Sequence, residues 1–167
     1  MIVNIRKCMI SDSKRIHELC SEMLDFDYPD DKFEQNLRKL MGTPGNLVLV
    51  AENNQKLVGF AHATDYNVIY GDPMKYISAI AVDEPYRRYG VGEALLKEID
   101  RWAVETGANG IRLYSGAERS AANAFYRAHS YELVKTEYQF KKDFFSGSGS
   151  SASSTITCTL PRCTVMV

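Results

Sequence analysis

The sequence predicts a single mixed α/β domain, with helices packed on the faces of a β-sheet that is parallel in part. Three observations carry this reading. Apolar residues recur at strand spacing in several short segments and at helical spacing in others. In the second half of the chain these two kinds of segment alternate, and neighbouring parallel strands need a crossover between them. A length of 167 residues is that of one ordinary domain, enough to bury a core without disulfides or metals.

Residues 2 to 6 alternate loosely and read as a first strand. Ser11 and Asp12 offer a cap for a helix in which Ile16, Leu19, Cys20, Met23 and Leu24 recur at helical spacing. A second helix is expected from Asp31, where Asp31 and Glu34 have capping-box spacing. It carries Phe33, Leu37, Leu40 and Met41 and closes at Gly42. Strands are expected at 46 to 52, 56 to 64 and 75 to 82, the first two joined in a hairpin by Asn53, Asn54 and Gln55. From Gly90 onward Val91, Ala94, Leu95, Ile99, Trp102 and Ala103 form one face of a helix that stops near Gly107. A strand at 110 to 115, a short helix from Ser120 to His129 and a last strand YELVKTEYQFKK complete the order β-α-α-β-β-β-α-β-α-β.

The expected domain is 1 to 143, and residues 144 to 167 differ from it in composition. SGSGSSASST at 146 to 155 is too rich in Ser and Gly to bury a core and reads as a linker, followed by β-favouring TITCTL and TVMV around Pro161. Two readings of this tail stay open: a cloning or reading-frame scar without function, or a strand that adds to a sheet edge.

Charge and cysteine usage exclude several classes. Twenty Lys and Arg against 21 Asp and Glu give a net charge of -1, so no net field favours nucleic acid or an anionic membrane surface. The four cysteines, Cys8, Cys20, Cys158 and Cys163, form no C-x-x-C pair and no Cys/His cluster at zinc spacing, so no metal is expected. The N-terminal residues lack a signal-peptide pattern and the apolar runs are too short to span a bilayer, which makes the cytoplasm the expected compartment.

The most informative stretch is IAVDEPYRRYGVGEALL. A buried-looking strand leads into a tight connection with two arginines, and two glycines open an amphipathic helix. A glycine lets a phosphate approach the main chain, and the unpaired N–H groups and positive end of a helix favour an anion there. Arg87 and Arg88 add charge-assisted donors. The P-loop pattern is missing its Gly-Lys-Ser/Thr, and the dinucleotide fingerprint fails at Leu95.

The pattern Arg-x-x-Gly-x-Gly, read as Arg87, Gly90 and Gly92, resembles the acetyl-CoA pyrophosphate motif of the GCN5-related N-acetyltransferase (GNAT) family. Some thirty residues on, SAANAFYRAHSYEL resembles the family's second signature, with Asn123, Phe125, Tyr126 and Tyr131 in similar places. Ser130 stands where the family commonly has glycine. The resemblance spans residues 2 to 142. It implies a central mixed sheet that splays open, acetyl-CoA as co-substrate, and transfer of the acetyl group to a primary amine through a ternary complex.

The same resemblance implies roles for particular residues. The main chain of Ile80 and Val82 would pair with the pantetheine arm like an added strand, while Arg87, Arg88, Gly90, Val91 and Gly92 hold the pyrophosphate and Asn123 contacts the coenzyme. Tyr126 would protonate or hydrogen-bond the departing thiolate, since a phenol near pKa ~10 and a thiol near ~8.5 can share a proton. An amine of pKa ~10.4 costs about 4 to 5 kcal/mol to present neutral at pH 7 unless a base or a dry site assists. Many relatives carry a carboxylate in the strand before the phosphate turn, but here that strand reads Ile77, Ser78, Ala79, Ile80. Substitutes are His62, whose ordinary pKa is ~6.5, Asp65, Glu118 and a water on Ser78. His17 and His129, on helices, have weaker claims.

For the acceptor, the acidic connection LDFDYPDD offers Asp25, Asp27, Asp30 and Asp31 to a cationic amine, with Tyr28, Phe26, Tyr66 and Tyr70 as wall residues. A small-molecule amine is the leading acceptor. A protein N-terminus or lysine, and a binding module without catalysis, are the alternatives. Nucleic acid and membrane are not expected partners, and a homodimer stays open.

Overall fold

The computed structural model describes residues 1–24, 28–138, 140 and 142 together with the backbone of Val165–Met166. Its strands are β1 (Asn4–Lys7), β2 (Asn46–Asn53), β3 (Lys56–Tyr66), β4 (Met74–Val82), β5 (Ile111–Arg112) and β6 (Val165–Met166). Its helices are α1 (Ser13–Leu24), α2 (Asp30–Gly42), α3 (Val91–Glu105) and α4 (Ser120–Ala128). The sheet runs β1-β2-β3-β4-β5, antiparallel up to β4 and parallel between β4 and β5, with β6 also parallel to β4. The mixed α/β fold expected from sequence is therefore present. No helix among the described residues is long and apolar enough to cross a membrane.

Strand alternation divides the core in two. Leu47, Leu49, Ala51, Ala61, Ala63, Ile80 and Val82 pack with Val91, Leu95, Leu96 and Ile99 of α3 and with Ala122 and Tyr126 of α4. Val48, Val50, Phe60 and Ala81 pack on the opposite face with Ile16, Leu19 and Cys20 of α1 and Leu37 of α2. The β2–β3 hairpin turns on Asn54 and Gln55, both at positive φ (49° and 64°), the geometry a two-residue turn needs to match strand twist.

Several boundaries differ from the sequence reading. Pro29 caps α2, with φ −57° and no side-chain cap bond, so the helix starts at Asp30 and Asp31 lies inside it. Glu34 is thus not a capping partner and pairs with Arg38 at 2.9 Å. The strand expected at 110 to 115 narrows to Ile111–Arg112. The last expected strand, YELVKTEYQFKK, forms no strand over residues 131 to 138. Leu133 and Val134 are neighbours and both stand exposed, as does Tyr138. Such a segment lacks the one-sided alternation that a half-buried strand needs, and a two-residue β5 offers little ladder to extend.

Candidate active site

β4 is the element that organises the site. Its register with β3 jumps from His62↔Ala79 to Ala63↔Ile77, leaving Ser78 as the extra residue of a β-bulge. The bulge reverses the facing of what precedes it: Ile77, Ile80 and Val82 all join the α3/α4 core, while Ala81 faces α1 and α2. On its other side β4 pairs with β5 only at Lys75↔Ile111 and Tyr76↔Arg112. Beyond Tyr76 the two parallel strands part, so the edge of β4 from the bulge to Val82 is not covered by β5.

At the end of β4 the chain enters the glycine-bearing turn. Asp83, 8% exposed, is held by Arg15 of α1 at 2.8 Å and lies 3.7 Å from Lys56. A 3-10 turn at Glu84–Tyr86 follows, and Arg87 Nε donates back to the carbonyl of Val82 at 3.1 Å. Arg88 is exposed at φ 62°. Gly90 caps α3 in the left-handed region, φ 83°, which a side chain would resist. Ala94 N–H donates to the Gly90 carbonyl at 2.9 Å as the first turn closes. The N–H groups of Val91, Gly92 and Glu93 precede that bond and have no intrahelical acceptor. Three donors and the positive helix end meet beside the edge of β4 that β5 leaves, an arrangement that suits an anion.

α4 brings up the second motif. Tyr126 is 4% exposed and sits in the α3/α4 core between Phe125 and Tyr131, ring centroids at 5.7 and 5.4 Å. Asn123 Nδ2 donates to the Gly116 carbonyl at 3.0 Å, tying α4 to the loop after β5. Past the helix Ser130 adopts φ 66°, and Tyr131 N–H donates to the Tyr126 carbonyl at 3.0 Å. Serine here takes the left-handed conformation that glycine takes without strain. Ser130→Gly is expected to raise stability by about 1 kcal/mol, read as a higher denaturation midpoint; a lower midpoint would show that the serine side chain contributes more than its backbone costs.

His62 belongs to the other face. It alternates with Phe60, whose side chain joins the α1/α2 core, and its Nε2 lies 3.1 Å from Asn46 Oδ1. Burial lowers its pKa, keeping the imidazole neutral near pH 7. Because the native state holds the lowered value, the unfolded chain binds the extra proton first as pH falls. The associated stability is complete above pH ~6.5 and is lost as pH drops towards the native value. His62→Asn is expected to flatten the pH dependence of the unfolding midpoint below pH ~6.5; an unchanged slope would remove His62 as its source.

The remaining candidates separate clearly. Asp65 is engaged by Lys75 at 2.5 Å, and that buried ammonium also lies 3.9 Å from the Trp102 ring centroid, so Asp65 serves the α3 face. His17 pairs with Asp30 at 2.5 Å and stacks on Phe33, and His129 contacts the Phe125 carbonyl at 2.8 Å; both are packing residues. Tyr28 takes a 3.3 Å hydrogen bond from Asn36, and Tyr70 is exposed. Asp25, Phe26 and Asp27 lie outside the described residues. Burial pushes the thiols of Cys8 and Cys20 up to about 12, so neither supplies a thiolate nucleophile near neutrality. No group of three or more His, Cys, Asp or Glu among the described residues is placed to hold a metal ion.

Of one cluster the sequence reading singled out only Tyr66. Tyr66, Tyr76 and Tyr114 form a chain of rings with centroids 6.5 and 5.8 Å apart, and the Arg112 guanidinium lies 4.4 Å from the Tyr66 centroid. Arg112 also donates to the Tyr114 hydroxyl at 2.7 Å. The cluster stands where β4 and β5 begin to part. Its signal was the alternation of Arg112 and Tyr114 in GIRLYS.

A sheet parted beside a helix start whose first N–H groups have no intrahelical acceptor, with a buried tyrosine on the following helix, suits an acyltransferase that uses a coenzyme thioester. The comparisons agree: residues 13–131 match the model of the acetyltransferase (GNAT) family. The chain belongs to that family and is an acetyl-CoA-dependent N-acetyltransferase. It is 27% identical over 116 residues to an aminoglycoside N(6')-acetyltransferase type 1 of Stenotrophomonas maltophilia, covering 67% of this chain and 76% of the relative. Among solved structures, AAC(6')-Iy in complex with the bisubstrate analogue CoA-S-monomethyl-acetylneamine superposes with a TM-score of 0.76 at 18% identity, over 86% of this chain and 99% of that one. A protein of Bacillus halodurans C-125 described as a transcriptional regulator gives 0.76 at 19%, over 84% and 100%. These two likenesses speak for the fold alone.

Proposed function

We propose that the enzyme moves the acetyl group of acetyl-CoA to a primary amine of a small molecule by direct attack in a ternary complex. The observation that carries this is the meeting of the Val91, Gly92 and Glu93 N–H donors with the β4 edge that β5 leaves, in the same core as Tyr126. Ile80 and Val82 supply main-chain partners for the pantetheine arm. Val91 and Gly92 hold the pyrophosphate through N–H groups on the Gly90-capped turn, and exposed Arg88 adds charge. Arg87 acts in part by fixing the Val82 carbonyl. Asn123 orients α4 and the loop before it.

The amine approaches from the α1/α2 face, where neutral His62 accepts its proton, directly or through a water held by the bulged Ser78. Its lone pair attacks the thioester carbonyl carbon, and the oxyanion that forms is stabilised by main-chain N–H of the splayed strand. Tyr126, on the opposite face, hydrogen-bonds or protonates the departing thiolate. Among the described residues the only cysteines, Cys8 and Cys20, are buried and protonated, which favours direct attack over an acyl-enzyme on either of them. Asp27 and Tyr28, at the connection between α1 and α2, are the proposed acceptor contacts, and the cytoplasm is the proposed compartment.

Aminoglycosides, for which the Stenotrophomonas maltophilia relative and AAC(6')-Iy are named, are the first acceptors to test, beside polyamines and amino-acid derivatives. Thiol release from acetyl-CoA across such a panel is expected with at least one small amine. Turnover confined to lysine-containing peptides would make the enzyme a protein acetyltransferase. Coenzyme binding without turnover on any amine would reduce it to a binding module.

A further inference from the structure

The uncovered part of β4 is not left vacant by the chain itself. β6 pairs with it in parallel, Val165 opposite Ile80 and Met166 opposite Ala81, and lies against α4. This is the stretch of main chain assigned above to the pantetheine arm, on the side of β4 from which β5 has departed and towards the helix that carries Tyr126. A strand and a pantetheine arm satisfy the same row of main-chain donors and acceptors, so the two exclude one another.

We infer that the C-terminal strand is an autoinhibitory pseudo-ligand that competes with coenzyme for the gap between β4 and β5. The inference rests on the coenzyme reading of that gap. Residues 143 to 164 lie outside the described residues; a flexible chain of their number, 22, would span about 25 Å on average, comparable to the width of a five-stranded sheet. Tethering at that length gives an effective concentration of order mM, so the closed form predominates when the β4 pairing and the contact with α4 together have an intrinsic dissociation constant of about 1 mM or below. Coenzyme then binds with an affinity reduced by the open fraction.

The test uses the full chain and two variants, titrated calorimetrically with coenzyme A. In Val165→Pro/Met166→Pro, β6 loses its N–H donors and its strand geometry while the length of the tail is kept. Ser151→Pro places a proline in the tail away from β6. The double variant is expected to bind coenzyme about three- to tenfold more tightly than the parent, with Ser151→Pro unchanged. A readout independent of coenzyme is amide hydrogen exchange in residues 77 to 82, expected to accelerate in the double variant alone. Equal affinity and equal exchange in all three proteins would overturn the inference while leaving the coenzyme site standing. Faster exchange with no coenzyme binding by any of them would overturn the coenzyme reading and, with it, the competition.

Discussion

Tyr126→Phe is expected to lower kcat about a hundredfold, near 2.7 kcal/mol of transition-state stabilisation, with little change in coenzyme affinity. The ring is part of the α3/α4 core and stacks on Phe125 and Tyr131, so phenylalanine keeps its volume and its packing. Only the hydroxyl is removed, and its proposed partner is the leaving thiolate, where charge develops late. A loss of this kind lowers kcat and kcat/KM together, the mark of an interaction made in the transition state. An unchanged kcat would remove the tyrosine from the chemistry, and a parallel loss of coenzyme affinity would make it a structural residue.

Gly92→Val is expected to raise the Kd for coenzyme A at least tenfold, about 1.4 kcal/mol or more. Gly92 is buried in the first turn of α3, among the N–H groups left without intrahelical partners. A branched side chain there stands between those donors and the pyrophosphate. Valine is no poorer a helix former than glycine, so α3 itself should persist, and thermal unfolding separates lost binding from lost folding. Gly92→Ala should give a smaller loss in the same direction. Undiminished affinity in a folded Gly92→Val variant would place the pyrophosphate elsewhere.

Much of this site is legible in the sequence because it is local. The strand, turn and helix around Gly90 and Gly92 follow one another within a few residues, so spacing alone places the donors at a helix start. Tyr126 and Asn123 share a short helix for the same reason. What the sequence did not disclose depends on long-range pairing. The bulge at Ser78 exists only in the register between β3 and β4. The ion pair of Asp65 needs Lys75 on the adjacent strand, and the Arg112 and tyrosine cluster needs β5 beside β4. YELVKTEYQFKK has strand-like composition, but composition does not report whether a neighbouring ladder is long enough to receive it. The missing strand carboxylate shifts attention to His62, and burial accounts for a neutral imidazole there without any signal in the residues around it.

The most direct test of acetyl transfer by direct attack is a rapid-quench experiment with acetyl-CoA and the best small amine, analysed by intact-mass spectrometry of both protein and amine. The account predicts that the amine gains one acetyl group as coenzyme thiol is released, and that the protein carries no acetyl group at any time point. Acetylated protein that forms before the product and decays into it, or thiol release without an acetylated small amine, would contradict it.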